Sequence, residues 1–284
     1  MLKILITGSK GQLGSHFNII DKSSLFNFIK THKSKAPKYE QMDITNEKQV
    51  SYVLNKYEPD IIINTAALTK VDLCQTNKLL ARKINVDGLK NLIKHSNFNT
   101  KIIQISSDFI YDGIDGSYNE NSQPNPLNYY GKTKLEAENI LLSSNKKNII
   151  IRVSTLFSNY LNNFYNWVYS ELSKNNIIHV VNDQISNPCY ALNLTNFIYD
   201  LILLDYDGKI NFGSKNSISR SGFAYEIAKV NNLDDNLIKV VKTSNINFKA
   251  QRPLNTSFDL ELCNQMKLRL FDSKATLEYI NGVK

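Results

Sequence analysis

The sequence predicts a doubly wound α/β fold, a parallel sheet covered by helices on both faces with a small second lobe intertwined with it. Short runs rich in Ile and Val recur along the first half: "KILIT" at 3–7, "DIIINTA" at 60–66, "KIIQISS" at 101–107 and "NIIIRVS" at 148–154. Helical patterns separate these runs, as expected of parallel strands buried on both faces. A glycine-rich turn follows the first run directly, where open α/β sheets seat a dinucleotide.

In chain order, residues 3–7 form the first strand, and a short helix starts near Leu13. "LFNFIKT" (25–31) is the second strand. A helix over Glu47–Tyr57 leads into the strand at 60–66, and one over 81–95 into the strand at 101–107. "NYYGKTKLEAEN" (128–139) opens the helix before the strand at 148–154. Beyond about residue 155 the alternation weakens. Helices are expected at 164–174, 193–204 and 223–230, strands at "IIHVV" (177–181) and "KINFG" (209–213), and then an irregular tail. The chain therefore divides into a dinucleotide-binding part, 1–155, and a mainly substrate-binding lobe, 156–284, with segments of the lobe returning to the sheet.

"ITGSKGQLGS" gives this fold its Rossmann-like character. Gly8 permits the tight turn, Gly11 lets the backbone approach a diphosphate, and Gly14 lets helix and strand pack closely. Lys10, Gln12 and Leu13 share the turn and join the candidate cofactor site. No acidic residue closes the second strand; Lys30, His32 and Lys33 stand there instead. A carboxylate would repel a 2′-phosphate and cations suit one, so NADPH is expected, with Lys33 as a contact and NADH still open.

The remaining composition excludes more than it assigns. No apolar run reaches the roughly 18 residues that a membrane helix needs. The N-terminal run meets a glycine turn at once and reads as a strand, not a signal peptide. Cys74, Cys189 and Cys263 are scattered without metal spacing, which suits buried thiols in a reducing cytoplasm. The net charge of +8 is spread widely, densest at Lys30, His32, Lys33, Lys35 and Lys38. Without an aromatic-interleaved basic stripe, a solvated basic surface is expected and not a nucleic-acid partner. The oligomeric state is left open, a homodimer included.

A tyrosine with a lysine four residues later on a helix places a proton donor one turn from a cation. Three such pairs occur: Tyr52/Lys56, Tyr130/Lys134 and Tyr225/Lys229. Only Tyr130/Lys134 follows a strand ending in hydroxyls, "QISSD" (104–108), within one βα connection. Strand C-termini and the loops after them form the ligand crevice of such sheets. That puts Ser106 or Ser107, Tyr130 and the glycine loop on one rim; the other two pairs are expected at the surface.

"TGSKGQLG", "INTAALTKVD", "QISSDFIYDG", "NPLNYYGKTKLEAE", "VNDQISNPCYALNL" and "RPLNTSFD" occur in that order between residue 3 and about 260. Together they resemble the extended short-chain dehydrogenase/reductases, and within them the dTDP-4-dehydrorhamnose reductase branch. The resemblance implies reduction of the 4-keto group of a nucleotide-linked 4-keto-6-deoxy sugar for surface polysaccharide synthesis. It implies Tyr130 as general acid, Lys134 as holder of the nicotinamide ribose and tuner of the tyrosine pKa, and Ser107 as hydrogen-bond partner of the carbonyl. Asp43 and Ile44 match the adenine side, and Thr65, Ala66 and Ala67 the strand end lining the cofactor. Asp108, Thr155, Gln184, Arg252 and Asn255 fall on the substrate side, Arg252 being suited to a diphosphate. Asn85 matches an Asn behind the site, where a helix-packing amide is an equal reading.

The sequence departs from the branch at several substrate-side positions. Thr155 stands for an expected Trp, Gln75 for an acidic residue, Gln251 for the first of two arginines, and Cys189 for Thr. These departures leave room for a different nucleotide sugar. A reading of another class is a non-catalytic cofactor-binding subunit, since a relative that modulates methionine adenosyltransferase shares the fold.

Overall fold

The structure, a computed structural model, describes residues 1–19, 24–159 and 161–282. β1 (Leu2–Thr7) runs into a 3-10 turn at Gly14–Asn18. β2 (Phe26–His32), β3 (Glu40–Gln41), α1 (Glu47–Tyr57), β4 (Ile61–Asn64), α2 (Val71–Thr76) and α3 (Lys78–Arg82) follow. A π-helical turn, Lys83–Asp87, joins α3 to α4 (Gly88–His95), and then come β5 (Lys101–Ser107), α5 (Tyr129–Leu142) and β6 (Asn148–Val153). The second half contributes β7 (Leu156–Phe157), α6 (Phe164–Ser173), β8 (Ile178–Val181), β9 (Ile185–Ser186), β10 (Cys189–Tyr190) and α7 (Ala191–Leu203). β11 (Gly208–Phe212), β12 (Ile218–Ser219), α8 (Arg220–Val230), β13 (Ile238–Val241), α9 (Glu261–Gln265) and α10 (Ser273–Gly282) complete it.

Seven strands form one parallel sheet in the order β11-β6-β5-β4-β1-β2-β3. The order reverses at β1, the topological switch point where such sheets bind ligands. Alternate residues of each strand serve opposite faces. Ile4, Ile6, Ile63, Ile103 and Ile151 pack with α7, whereas Leu5 and Ile62 pack under α1 and α4. The expected doubly wound fold is therefore present. β11 comes from the second half and closes the edge beside β6. A separate core, with Val168, Phe223, Ile227 and Leu277 among its members, holds α6, α8 and α10 together as the lobe.

Three local expectations need correction. The helix expected from Leu13 is a single 3-10 turn with no side-chain cap, and its continuation falls on 20–23, outside the described residues. The helix expected over 81–95 is interrupted by the π turn. The tail is more ordered than expected: Thr276, Leu277 and Ile280 lie on one face of α10 and are buried, Leu277 and Ile280 within the lobe core. That helical spacing was present in the sequence but lacked a visible cap.

α5 is held to the sheet by a buried ion pair. Arg152 of β6 and Glu138 of α5 have side chains only 2% and 1% exposed, with Nη2 of Arg152 donating to Oε2 of Glu138 at 2.8 Å. The Arg152 Nη1 also donates to the Tyr111 hydroxyl (2.7 Å) and the Glu120 carbonyl (3.0 Å), and Ser106 donates its hydroxyl to Glu138. Every partner is satisfied, which is the condition under which a buried charge is tolerated. Replacing Glu138 with Leu strands the guanidinium, so Glu138→Leu should lose about 3–5 kcal/mol of stability in urea denaturation. An unchanged unfolding midpoint would contradict this account of the contact.

Candidate active site

The glycine loop has the shape its sequence suggested. Gly8 has φ +61°, in the left-handed region that favours glycine. A methyl on Gly14 would meet the Gly8 carbonyl oxygen at 2.5 Å. Gln12 donates its side-chain amide to the Leu156 carbonyl at 3.0 Å, and Leu13 is buried in the core. Lys10 places its ammonium 5.3 Å from the centre of the Tyr39 ring, and Lys33 is exposed beyond β2. Asp43 accepts the Thr45 N–H at 2.8 Å, while Ile44 is buried against Gly88. Thr65 donates its hydroxyl to the Thr7 carbonyl at 2.6 Å, and the Ala66 N–H donates to the Thr7 hydroxyl at 3.1 Å. With Ala67 these half-buried residues line the β4 end beside the loop. A side chain at Gly8 or Gly14 would collide with the turn's own backbone or the β4 end, so glycine keeps the turn tight, and with cations at its edge the residues present fit a phosphorylated dinucleotide.

Across three strands the register sets Thr7 beside Asn64 and Asn64 beside Gln104. The Thr7 hydroxyl donates to Oδ1 of Asn64 (2.7 Å), and Nδ2 of Asn64 donates to Oε1 of Gln104 (2.7 Å). The Gln104 amide then donates to the Ile105 carbonyl (2.8 Å). Lys134 donates its ammonium to that same carbonyl at 2.5 Å. A polar row thus joins the glycine loop to the candidate catalytic lysine. Asn64 and Gln104 stood in the sequence as polar interruptions of apolar strands, but their pairing depends on a register that only the folded sheet shows.

Tyr130, Lys134 and Glu138 recur every four residues and face inward from α5. Asn128 caps the helix, its side chain accepting the Gly131 N–H at 2.9 Å. A methyl at Gly131 would lie 2.0 Å from the Phe109 carbonyl oxygen, so glycine lets α5 press against the turn after β5. That contact brings Tyr130 to Ser107. Burial raises the Tyr130 pKa above its ordinary value, the hydrogen bond with Ser107 works the other way, and the nearby Asp108 adds to the rise. The expected lowering of this pKa by Lys134 is not what this arrangement does; desolvation dominates and keeps the phenol protonated. Burial lowers Lys134 itself to about 8, with Glu138 and Cys74 opposing. Asn85, in the π turn, accepts the Leu68 N–H and donates to Thr133 of α5, bracing the helix from behind.

The other Tyr/Lys pairs lie elsewhere. Tyr52 is 62% exposed, and Lys56 pairs with Glu40. Tyr225 belongs to the lobe, over a third exposed.

The substrate-side candidates gather around β9. Thr155 hydrogen-bonds the Ser186 hydroxyl at 3.1 Å, and Gln184 directly precedes the strand. The Ile185 N–H donates to the Leu254 carbonyl (2.6 Å), and the Thr256 N–H to the Ile185 carbonyl (2.9 Å), which flank Asn255. Asn255 accepts the Ser257 N–H and hydroxyl. Arg252 pairs with Asp72 at 3.0 Å and lies over Phe248. Asp108, expected at the substrate, is only 3% exposed and accepts hydroxyl donors from Ser107 (3.1 Å), Ser154 (3.2 Å) and Thr256 (2.6 Å). Its carboxylate is engaged within the protein, joining β5, the end of β6 and the segment after Asn255. One of the departures also has an internal partner for its side chain: Gln75 accepts the Tyr129 N–H.

Residues 2–278 match the RmlD substrate binding domain family. The chain belongs to that family. Its sequence is 31% identical to a dTDP-4-dehydrorhamnose reductase of Aggregatibacter actinomycetemcomitans, with 93% of each chain covered. A solved dTDP-4-dehydrorhamnose reductase of Bacillus anthracis str. Ames, in complex with NADP, superposes with a TM-score of 0.93 at 29% identity, covering 100% of this chain and 99% of that one. The methionine adenosyltransferase 2 subunit beta of Bos taurus is 32% identical over a shorter stretch, 55% of this chain and 47% of that protein. Within the RmlD fold of this chain, Arg220 is the residue that sequence reasoning passed over. It reaches the site only because β12 pairs with β9.

The depressed Lys134 pKa has a consequence for stability. The folded protein releases this proton near 8, whereas the free side chain holds it to 10.5. Between those values the unfolded chain binds more protons, so this lysine's contribution to stability rises with pH. Wild type should therefore gain stability relative to Lys134→Met when urea denaturation is moved from about pH 7 to about pH 9.5. A pH-independent difference would contradict the buried position.

Proposed function

We propose that the chain is an NADPH-dependent sugar-nucleotide 4-ketoreductase, converting dTDP-4-dehydro-L-rhamnose to dTDP-L-rhamnose. The observation that carries this reading is the convergence of Ser107, Tyr130 and Lys134 beside the glycine loop, in a chain that matches a reductase over 93% of its length. Bound NADPH supplies the hydride to the keto carbon. The glycine loop would hold its diphosphate, with Lys10 and Lys33 toward the 2′-phosphate.

The chain's own groups then manage the carbonyl oxygen. Tyr130 arrives protonated because burial disfavours the phenolate, and it passes that proton to the forming alkoxide. Ser107 orients the carbonyl beside it. Lys134 has three N–H donors, of which Ile105 takes one, leaving others for the nicotinamide ribose. Thr155, Gln184, Arg252 and Asn255 would receive the nucleotide sugar from the lobe side. A cytoplasmic step in surface polysaccharide synthesis is the setting that follows from this substrate.

Tyr130→Phe should lower kcat by about 10²–10⁴-fold, the usual worth of a positioned acid, with NADPH affinity retained. Unchanged turnover would remove Tyr130 from the mechanism. Following NADPH absorbance across a panel of 4-keto sugar nucleotides tests the sugar. The rhamnose precursor should be consumed fastest, and a faster congener would overturn that choice.

A further inference from the structure

We infer that Arg220 is a substrate-anchoring residue whose guanidinium binds the diphosphate linker of the nucleotide sugar, across the cleft from Arg252. This rests on the reading of the chain as a sugar-nucleotide reductase and adds a residue to it.

Arg220 is the first residue of α8, and its position is fixed from both sides. Its backbone N–H donates to the Gln184 carbonyl at 2.9 Å, while Ser219 pairs with Ile185 in the β12–β9 ladder. The side chain lies 5.0 Å over the Phe164 ring. A guanidinium stacked on an aromatic face keeps its in-plane N–H edge directed outward, in the fork geometry that matches phosphate oxygens.

Arg220 has no ion-pair partner among the described residues. Among the described residues, Arg82, Arg152 and Arg252 each have a carboxylate partner, and Arg269 is exposed to water. Arg220 is half-buried, and no described carboxylate is within ion-pairing distance. Asp108 is close enough to be felt, but its oxygens are taken by three hydroxyls. Arg252 is felt as well, as a repelling like charge. Two guanidiniums thus approach the same rim of β9, each backed by an aromatic ring, and only Arg252 has an acid, Asp72.

Such an arrangement gains most from an anion between the two cations. A 4-keto-6-deoxy sugar is neutral, so the diphosphate is the anionic part of the proposed substrate. With the keto carbon at Tyr130, the linker points toward the lobe, where β9 and α8 stand.

The test uses binding of dTDP, dTMP and thymidine to the full chain in the presence of NADPH, with steady-state kinetics alongside. Arg220→Gln should weaken dTDP by about tenfold or more, the usual worth of a charge-assisted contact, and shrink the preference of dTDP over dTMP. Thymidine and NADPH affinities should stay as in wild type, and KM for the sugar nucleotide should rise more than kcat falls. Arg220→Lys keeps the charge and the stem but loses the fork. It should show a smaller loss in the same direction, and it carries the test if Arg220→Gln does not fold. If both variants bind dTDP as tightly as wild type while wild type reduces the sugar nucleotide, Arg220 is not the anchor and the ketoreductase reading survives. A wild-type protein that binds none of the three probes and reduces no sugar nucleotide overturns both.

Discussion

Lys134 and Gln104 donate to one carbonyl oxygen, that of Ile105, and through Gln104 this oxygen is linked to Asn64 and Thr7. The row runs from the C-terminal ends of β1 and β4 to the middle of β5, which extends beyond the end of β4. Each side chain in it is buried and bonded, so moving one leaves another unsatisfied at a cost of about 1–3 kcal/mol. The spacing between the nucleotide loop and the lysine is therefore set by strand register and not by loops. The glycine loop and Lys134 inherit their relative position from the same hydrogen bonds that hold the sheet edge together.

The helix carrying the tyrosine is fixed by a second device. A purely apolar inner stripe would let α5 slide or rotate slightly on the sheet, because hydrophobic contact is non-directional. Glu138 meeting Arg152 in a forked contact is directional, and Tyr111, Ser106 and the Glu120 carbonyl complete it. Two turns away on the same stripe, Tyr130 is placed by the same constraint. Polar groups that look extravagant in a core thus determine where one phenol oxygen lies.

Much of this was legible in the linear sequence, for physical reasons that can be named. Ile-rich runs identify buried parallel strands because both faces must be apolar, and glycines mark the turn because larger residues would collide there. Tyr130/Lys134 was distinguishable from its two look-alikes because it follows a strand ending in hydroxyls. The lobe was harder. Arg220, Gln184 and Thr256 are far apart in the chain and meet through two-residue strands too short to announce themselves. Asp108 read as a substrate contact because it sits at a strand end, and its three hydroxyl partners come from β5, the end of β6 and the segment after Asn255. The shift of the tyrosine pKa was misjudged in sign, since a nearby cation is visible in sequence whereas depth of burial is not.

That carboxylate also bears on how the molecule loses order. Asp108 bonds to the sheet and to Thr256, whose N–H also donates to Ile185 of β9, so drawing β9 away from the sheet would strain a buried contact while the acid stayed at the end of β5. Such a separation would leave a buried carboxylate short of a hydrogen bond, at a cost of about 1–3 kcal/mol.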